Sequence, residues 1–211
     1  YGHVLDGEIR HVDLTYVDQN TPVVVYDKDW QNNRQRVEVN VLKKEKDSDR
    51  TLEGAIFGLF AKEDIKSETT GKVLIEADEI IELKSTDEEG KITFVADLPI
   101  GATYYVKELY APDGFVTNDE VKEFTFEYAG EDQPTVTYDF TFDNQPTVVE
   151  FTKSSLTTGK ELPGCKLKVV DADGNIVDEW TSGKEAHVIR ELTVGKEYTL
   201  VETKPADGYV T

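Results

Sequence analysis

Lysine, glutamate and asparagine occupy positions in this chain that complete rows of apolar side chains. In an extended strand, residues i, i+2 and i+4 share one face. Lys43 therefore continues the row Val37, Val39 and Val41, Glu108 continues Tyr104 and Val106, and Asn144 continues Phe140 and Phe142. Each row points at a core, and burying an unpaired charge is expensive. Desolvation disfavours the charged form of a lysine amine, and the neutral amine that results is a nucleophile. A carboxyl in the same pocket is pushed toward its protonated form, can donate a hydrogen bond to the carboxamide oxygen, and can pass a proton to departing ammonia. The chemistry this set supports is a side-chain amide between Lys43 and Asn144. With an aspartate as acceptor, water would leave instead of ammonia. A lone Lys–Glu pair is more commonly an ordinary salt bridge, so the weight rests on what accompanies it.

What accompanies it is a second copy. Val39-x-Val41-x-Lys43, Leu52-Glu53-Gly54, Tyr104-x-Val106-x-Glu108 and Ala111-Pro112-Asp113-Gly114-Phe115 return as Val149-x-Phe151-x-Lys153, Leu162-Pro163-Gly164, Tyr198-x-Leu200-x-Glu202 and Pro205-Ala206-Asp207-Gly208-Tyr209. The step from Lys to Leu is nine residues in both copies. Self-similarity of this kind marks a tandem array of one domain type. Lys153 and Glu202 thus hold the places of Lys43 and Glu108.

The elements that must position these groups are strands. Short alternations such as Lys91-Ile92-Thr93-Phe94-Val95, Glu123-Phe124-Thr125-Phe126-Glu127 and Lys166-Leu167-Lys168-Val169-Val170 are separated by Asp-Gly, Glu-Gly and Pro-Gly turns. That spacing predicts an all-β fold of tandem Greek-key, immunoglobulin-like sandwiches. The Lys-to-Glu interval is sixteen residues longer in the first copy, and the extra stretch, Ala61 to Glu82, is expected to hold a short helix. Residues 1–36 read as the closing strands of a preceding unit plus a polar linker, with strands at His11–Tyr16 and Val23–Asp27. Residues 37–145 form a full unit, and residues 146–211 a unit lacking its last strands. A head-to-tail copy is expected to offer its Val23–Asp27 strand, and with it Asp27, to Lys153.

Composition excludes several classes. The 211 residues carry 43 acidic and 23 basic side chains, a net charge of −20, which repels nucleic acid and acidic membranes. Cys165 is the only cysteine, so an internal disulfide and a cysteine metal cluster are excluded, and its place in the repeat suggests a small buried thiol. The three histidines lack metal-ligand spacing, and Asp171-x-Asp173-Gly174-Asn175 reads as a hairpin turn rather than a calcium loop. No cofactor is expected. The sequence contains no signal peptide or long apolar span.

The quoted segments, Val149-Glu150-Phe151-Thr152-Lys153, Glu161-Leu162-Pro163-Gly164 and Tyr198-Thr199-Leu200-Val201-Glu202-Thr203 with Asp207-Gly208-Tyr209, resemble the collagen-adhesin B-type (CnaB, SpaA-like prealbumin) domains of Gram-positive surface proteins and pilins. Gly54-Ala55-Ile56-Phe57 and Leu98-Pro99-Ile100-Gly101 resemble the longer SpaA version. The resemblance implies a stalk segment of a cell-wall-anchored adhesin or pilin-like protein, extracellular, with its anchor elsewhere. It also implies self-formed isopeptide bonds: Lys43 to Asn144 with Glu108 assisting, Lys153 with Glu202 assisting, and, in the preceding unit, Asp27 as the acceptor that closes Val23–Asp27, with Asn32 or Asn33 as the alternative. Partners are then neighbouring domains of the same polypeptide, with a host protein or glycan as a further candidate. The alternatives are a ligand-binding module, for which Tyr104, Tyr105, Tyr110 and Phe115 are the nearest approach to an aromatic cluster, and an accessory domain of a secreted enzyme.

Overall fold

The computed structural model describes residues 3–5, 7–9, 11–12, 18–20, 32–67 and 69–209. Asp27, the strand expected at Val23–Asp27 and residues 13–16 of the strand expected at His11–Tyr16 lie outside the described residues. Alternating sequence in the first unit builds β1 (Arg36–Glu45), β2 (Ile56–Ala61), β3 (Ile65–Lys66), β4 (Val73–Ile75), β5 (Ile80–Ser85), β6 (Lys91–Phe94), β7 (Thr103–Tyr110), β8 (Val121–Thr125) and β9 (Thr135–Asn144). One sheet has the order β6-β1-β9 and the other β5-β2-β7-β8. β1 runs antiparallel to β6 and parallel to β9. The two inner faces meet through Val39, Val41, Phe94 and Phe142 on one side and Phe57, Leu59, Tyr104 and Val106 on the other. Burying such side chains contributes about 1.5–3 kcal/mol each.

The helix expected within residues 61–82 does not form. The segment contains β3, β4 and the start of β5, and no helix occurs among the described residues. Ile65, Val73, Ile75, Ile80 and Ile81 are β-branched, which favours extended backbone, and Thr69-Thr70-Gly71 breaks the run with a turn at positive φ. Ile65 and Ile75 use the β3–β4 hairpin to cap the end of the core.

The second unit repeats the plan with β10 (Val148–Phe151), β11 (Lys166–Asp171), β12 (Ile176–Thr181), β13 (His187–Arg190) and β14 (Tyr198–Lys204). The antiparallel pairs β10·β13, β11·β12 and β11·β14 reproduce β1·β6, β2·β5 and β2·β7. Counterparts of β8 and β9 are absent among the described residues, and the core is correspondingly shallower. Val106 is fully buried, whereas Leu200, at the same place in the repeat, is 47% exposed.

The repeated Leu-x-Gly motif explains the constant nine-residue step. Leu52 N–H donates to the Lys43 carbonyl at 3.0 Å, and Leu162 N–H to the Lys153 carbonyl at 2.6 Å. A hydroxyl clamps each turn. Thr86 Oγ1 donates to Leu52 O and accepts from Ala55 N–H, and Ser182 Oγ donates to Leu162 O and accepts from Cys165 N–H. Gly54 and Gly164 sit at φ 85° and 97°, a conformation that costs other residues strain. Cys165 is fully buried behind its turn.

Between the units, Phe115 bridges Pro146 and Thr147 N–H donates to the Gly114 carbonyl at 2.8 Å. Arg50 forms a two-pronged ion pair with Glu191 and lies over the Phe115 ring. Gly114, at φ 84°, approaches so closely that a Cβ there would come within 2.7 Å of the Glu191 carbonyl oxygen.

Candidate functional site

Three apolar rows end on polar side chains, and the three ends meet. Parallel pairing sets Lys43 opposite Phe142 and Glu45 opposite Asn144, so Lys43 and Asn144 project to the same face one pleat apart. Glu108 arrives from the facing sheet, where it pairs with Phe57. Lys43, Glu108 and Asn144 are at most 1% exposed. The Phe57 and Phe142 rings, 4.9 Å apart, stand 5.6 and 6.0 Å from Lys43 Nζ. Charged groups are thereby confined to a dry pocket, where unpaired they would be strongly unfavourable.

The polar atoms satisfy one another. Lys43 Nζ donates to Asn144 Oδ1 and lies 3.1 Å from Glu108 Oε1. That same Oε1 accepts from Asn144 Nδ2 at 2.9 Å. Glu108 Oε2 accepts the Asn118 backbone N–H at 2.6 Å. One carboxylate oxygen thus touches both the amine and the carboxamide nitrogen. The sequence-based expectation had the carboxyl facing the carboxamide oxygen. That oxygen is instead taken by Nζ, leaving the nitrogen to seek the acceptor on Glu108. Burial holds the Lys43 amine below its ordinary value of 10.5, and the Glu108 charge opposes this without cancelling it. The nucleophilic neutral form is favoured accordingly.

In the second unit, Lys153 Nζ lies 3.0 Å from Glu202 Oε2 with side chains 32% and 24% exposed. No Asn or Asp contact to this pair occurs among the described residues. Asn32 and Asn33 are exposed. The aromatic residues weighed as a binding cluster disperse: Tyr104 and Phe115 are buried, Tyr110 is exposed, and Tyr105 stacks on Phe60. The Asp171 carboxylate is occupied by its own hairpin, accepting from Asp173 N–H and from Asn175.

Two buried or bridging groups escaped sequence reasoning. Gln35, expected in a polar linker, is fully buried and hydrogen bonds to the backbone of Ala129, Gly130 and Gln133. Asn118 reaches Glu108 from a loop, outside any alternating row. Periodicity carries no signal for either.

The model of the SpaA prealbumin-like fold domain family matches residues 37–143 and again residues 147–211. A search of curated proteins returned no match. Among solved structures, the Bacillus anthracis TIE protein aligns at 24% identity with a TM-score of 0.53, over 85% of this chain and 30% of that one. The C-terminal fragment of pilus adhesin SpaC from Lactobacillus rhamnosus GG aligns at 16% identity and TM-score 0.45, over 84% and 78% of the two chains. A mutant of the shaft pilin SpaA from the same organism aligns at 18% and 0.41, over 83% and 91%.

Proposed function

The chain belongs to the SpaA prealbumin-like fold domain family, and from that premise we propose that it is a stalk segment of a Gram-positive cell-surface adhesin or pilin-like protein, covalently locked by a Lys43–Asn144 isopeptide bond. The observation that carries this reading is the double contact of Glu108 Oε1, 3.1 Å from Lys43 Nζ and 2.9 Å from Asn144 Nδ2. In the proposed reaction neutral Nζ attacks the side-chain carbonyl carbon of Asn144. The nitrogen–carbon bond forms and the bond to Nδ2 breaks. Glu108, protonated by the ammonium proton that Nζ gives up as it becomes neutral, passes one proton to Nδ2 and takes one from Nζ, so ammonia departs and the carboxyl ends protonated. The reaction runs once within one chain, and no external substrate is turned over.

Lys153 and Glu202 hold the corresponding places in the second unit. Their acceptor would be an Asn or Asp on a strand lying parallel to β10, as Asn144 does on β9. Asp27 stands as the proposed acceptor of the unit before β1. The segment would work outside the cell, its partners being adjoining domains of the same polypeptide. The chain spans 30% of the Bacillus anthracis structure, so the role of any complete protein is included in this proposal.

Intact-mass spectrometry tests the reading. The wild-type chain should be lighter than its sequence by one ammonia, and Lys43→Ala and Glu108→Ala should both have the full mass. A wild-type chain at full mass, with Lys43 open to amine reagents after unfolding, would overturn it.

A further inference from the structure

Residues 114–118 and 143–147 face each other as a short antiparallel ladder. Thr147 N–H donates to the Gly114 carbonyl at 2.8 Å and Val116 N–H to the Gln145 carbonyl at 2.9 Å. Phe115 and Pro146 form the bridge between those bonds. The next bond of the same type, two residues further along each segment, would run from the backbone N–H of Asn118 to the carbonyl of Asp143. That N–H is diverted. It donates to Glu108 Oε2 at 2.6 Å, and the side-chain Nδ2 of the same residue takes over the Asp143 carbonyl at 2.9 Å. The remaining side-chain atom, Oδ1, accepts from Glu120 N–H at 2.9 Å, which sets the orientation of the carboxamide.

We propose that Asn118 is a positioning residue for the Lys43–Asn144 cross-link, its backbone holding Glu108 while its side chain restores the ladder bond to the strand end that carries Asn144. The inference rests on the cross-linking reading of the site. The residue type follows from the geometry. A donor is needed on Asp143 and an acceptor on Glu120, from a side chain that leaves its own N–H free for the carboxylate. Asparagine supplies both at this reach, aspartate lacks the donor, and alanine lacks both. Without the side chain, the N–H of residue 118 is contested between Glu108 and the Asp143 carbonyl. Either Glu108 or Asn144 then loses its fixed place. Reaction within a bound pair is steep in such placement.

The test follows ammonia loss over time by intact mass in the full chain made by cell-free translation, comparing wild type, Asn118→Ala and Asn118→Asp. Both variants should cross-link about 10- to 100-fold more slowly at neutral pH. As pH falls through the ordinary aspartate range near about 4, Asn118→Asp gains a protonated carboxyl able to donate to Asp143, so its rate relative to Asn118→Ala should rise. General loss of stability would slow both variants without that change in ratio. Unaltered rates in both variants, or slowing with a pH-independent ratio, would overturn the role of Asn118 while leaving the cross-link intact. A wild-type chain that loses no ammonia would overturn the cross-linking reading itself, and this inference with it.

Discussion

At Lys43 two effects compete, removal of water from the ammonium and attraction to the Glu108 carboxylate, and removal of water is the larger. The amine titrates below 10.5 in the folded protein and at its ordinary value in the unfolded chain. Between those limits the unfolded chain binds more protons, so stability must rise with pH through that window and fall as pH drops through the folded value. Asn144→Ala keeps Lys43 and Glu108 but removes the acceptor. Its urea midpoint should climb with pH over that range, and the added substitution Lys43→Met should remove the Lys43 part of the climb. An identical slope in the two proteins would show that burial does not govern the amine. The cross-linking rate should rise over the same window as the neutral fraction grows, levelling off below 10.5. Glu108→Gln keeps the shape of the side chain but turns one of its two accepting oxygens into a donor and cannot relay a proton, so its mass should show no ammonia lost.

The strand rows make the centre of the site legible in the sequence. Val37 to Lys43, Tyr104 to Glu108 and Phe140 to Asn144 alternate cleanly, and each polar terminus is buried. Legibility failed where contacts depend on loops returning from a distance. Asn118 and Gln35 lie outside such rows, and the β3–β4 hairpin replaces the expected helix because the Ala and Glu residues of 61–82 favour helix while its Ile and Val residues favour strand, so composition alone does not decide between them. The hydroxyl clamps were likewise invisible, since Thr86 and Ser182 gain their meaning from turns far upstream. Thr86→Ala should leave the Leu52 carbonyl and Ala55 N–H short of a partner, a loss of about 1–3 kcal/mol. Chemical denaturation in a Lys43→Ala background, where no bond masks the effect, measures it. An unchanged midpoint would mean the turn recruits water or another donor. At the joint, Gly114→Ala forces both a positive φ and a clash with Glu191, at a cost of about 1–3 kcal/mol. Looser docking of the second unit should appear as faster amide exchange at Thr147, whose N–H donates to the Gly114 carbonyl across the joint, and unaltered exchange would argue against a tight joint.

Across the whole molecule, the proposed bond joins residues 101 positions apart. Closing a loop of that length stabilises the fold by about 4–5 kcal/mol in the chain-entropy description developed for disulfides. The wild-type chain should therefore melt well above its Lys43→Ala variant and resist trypsin longer, and coincident melting and digestion curves would contradict a bond of this kind. Tension entering along β1 and leaving through the chain after Asn144, the last residue of β9, would cross the amide after Lys43, leaving residues 44–143 unloaded. The parallel β1–β9 pairing also bears on how the domain is made. Strands from opposite ends of a unit must find each other across nearly its entire length, a non-local contact of the sort that makes folding slow. The pairing is also what brings Asn144 to Lys43, so the reaction would wait for one of the most distant contacts in the unit. A domain closed in this way completes that search once, at synthesis, and never has to repeat it under load.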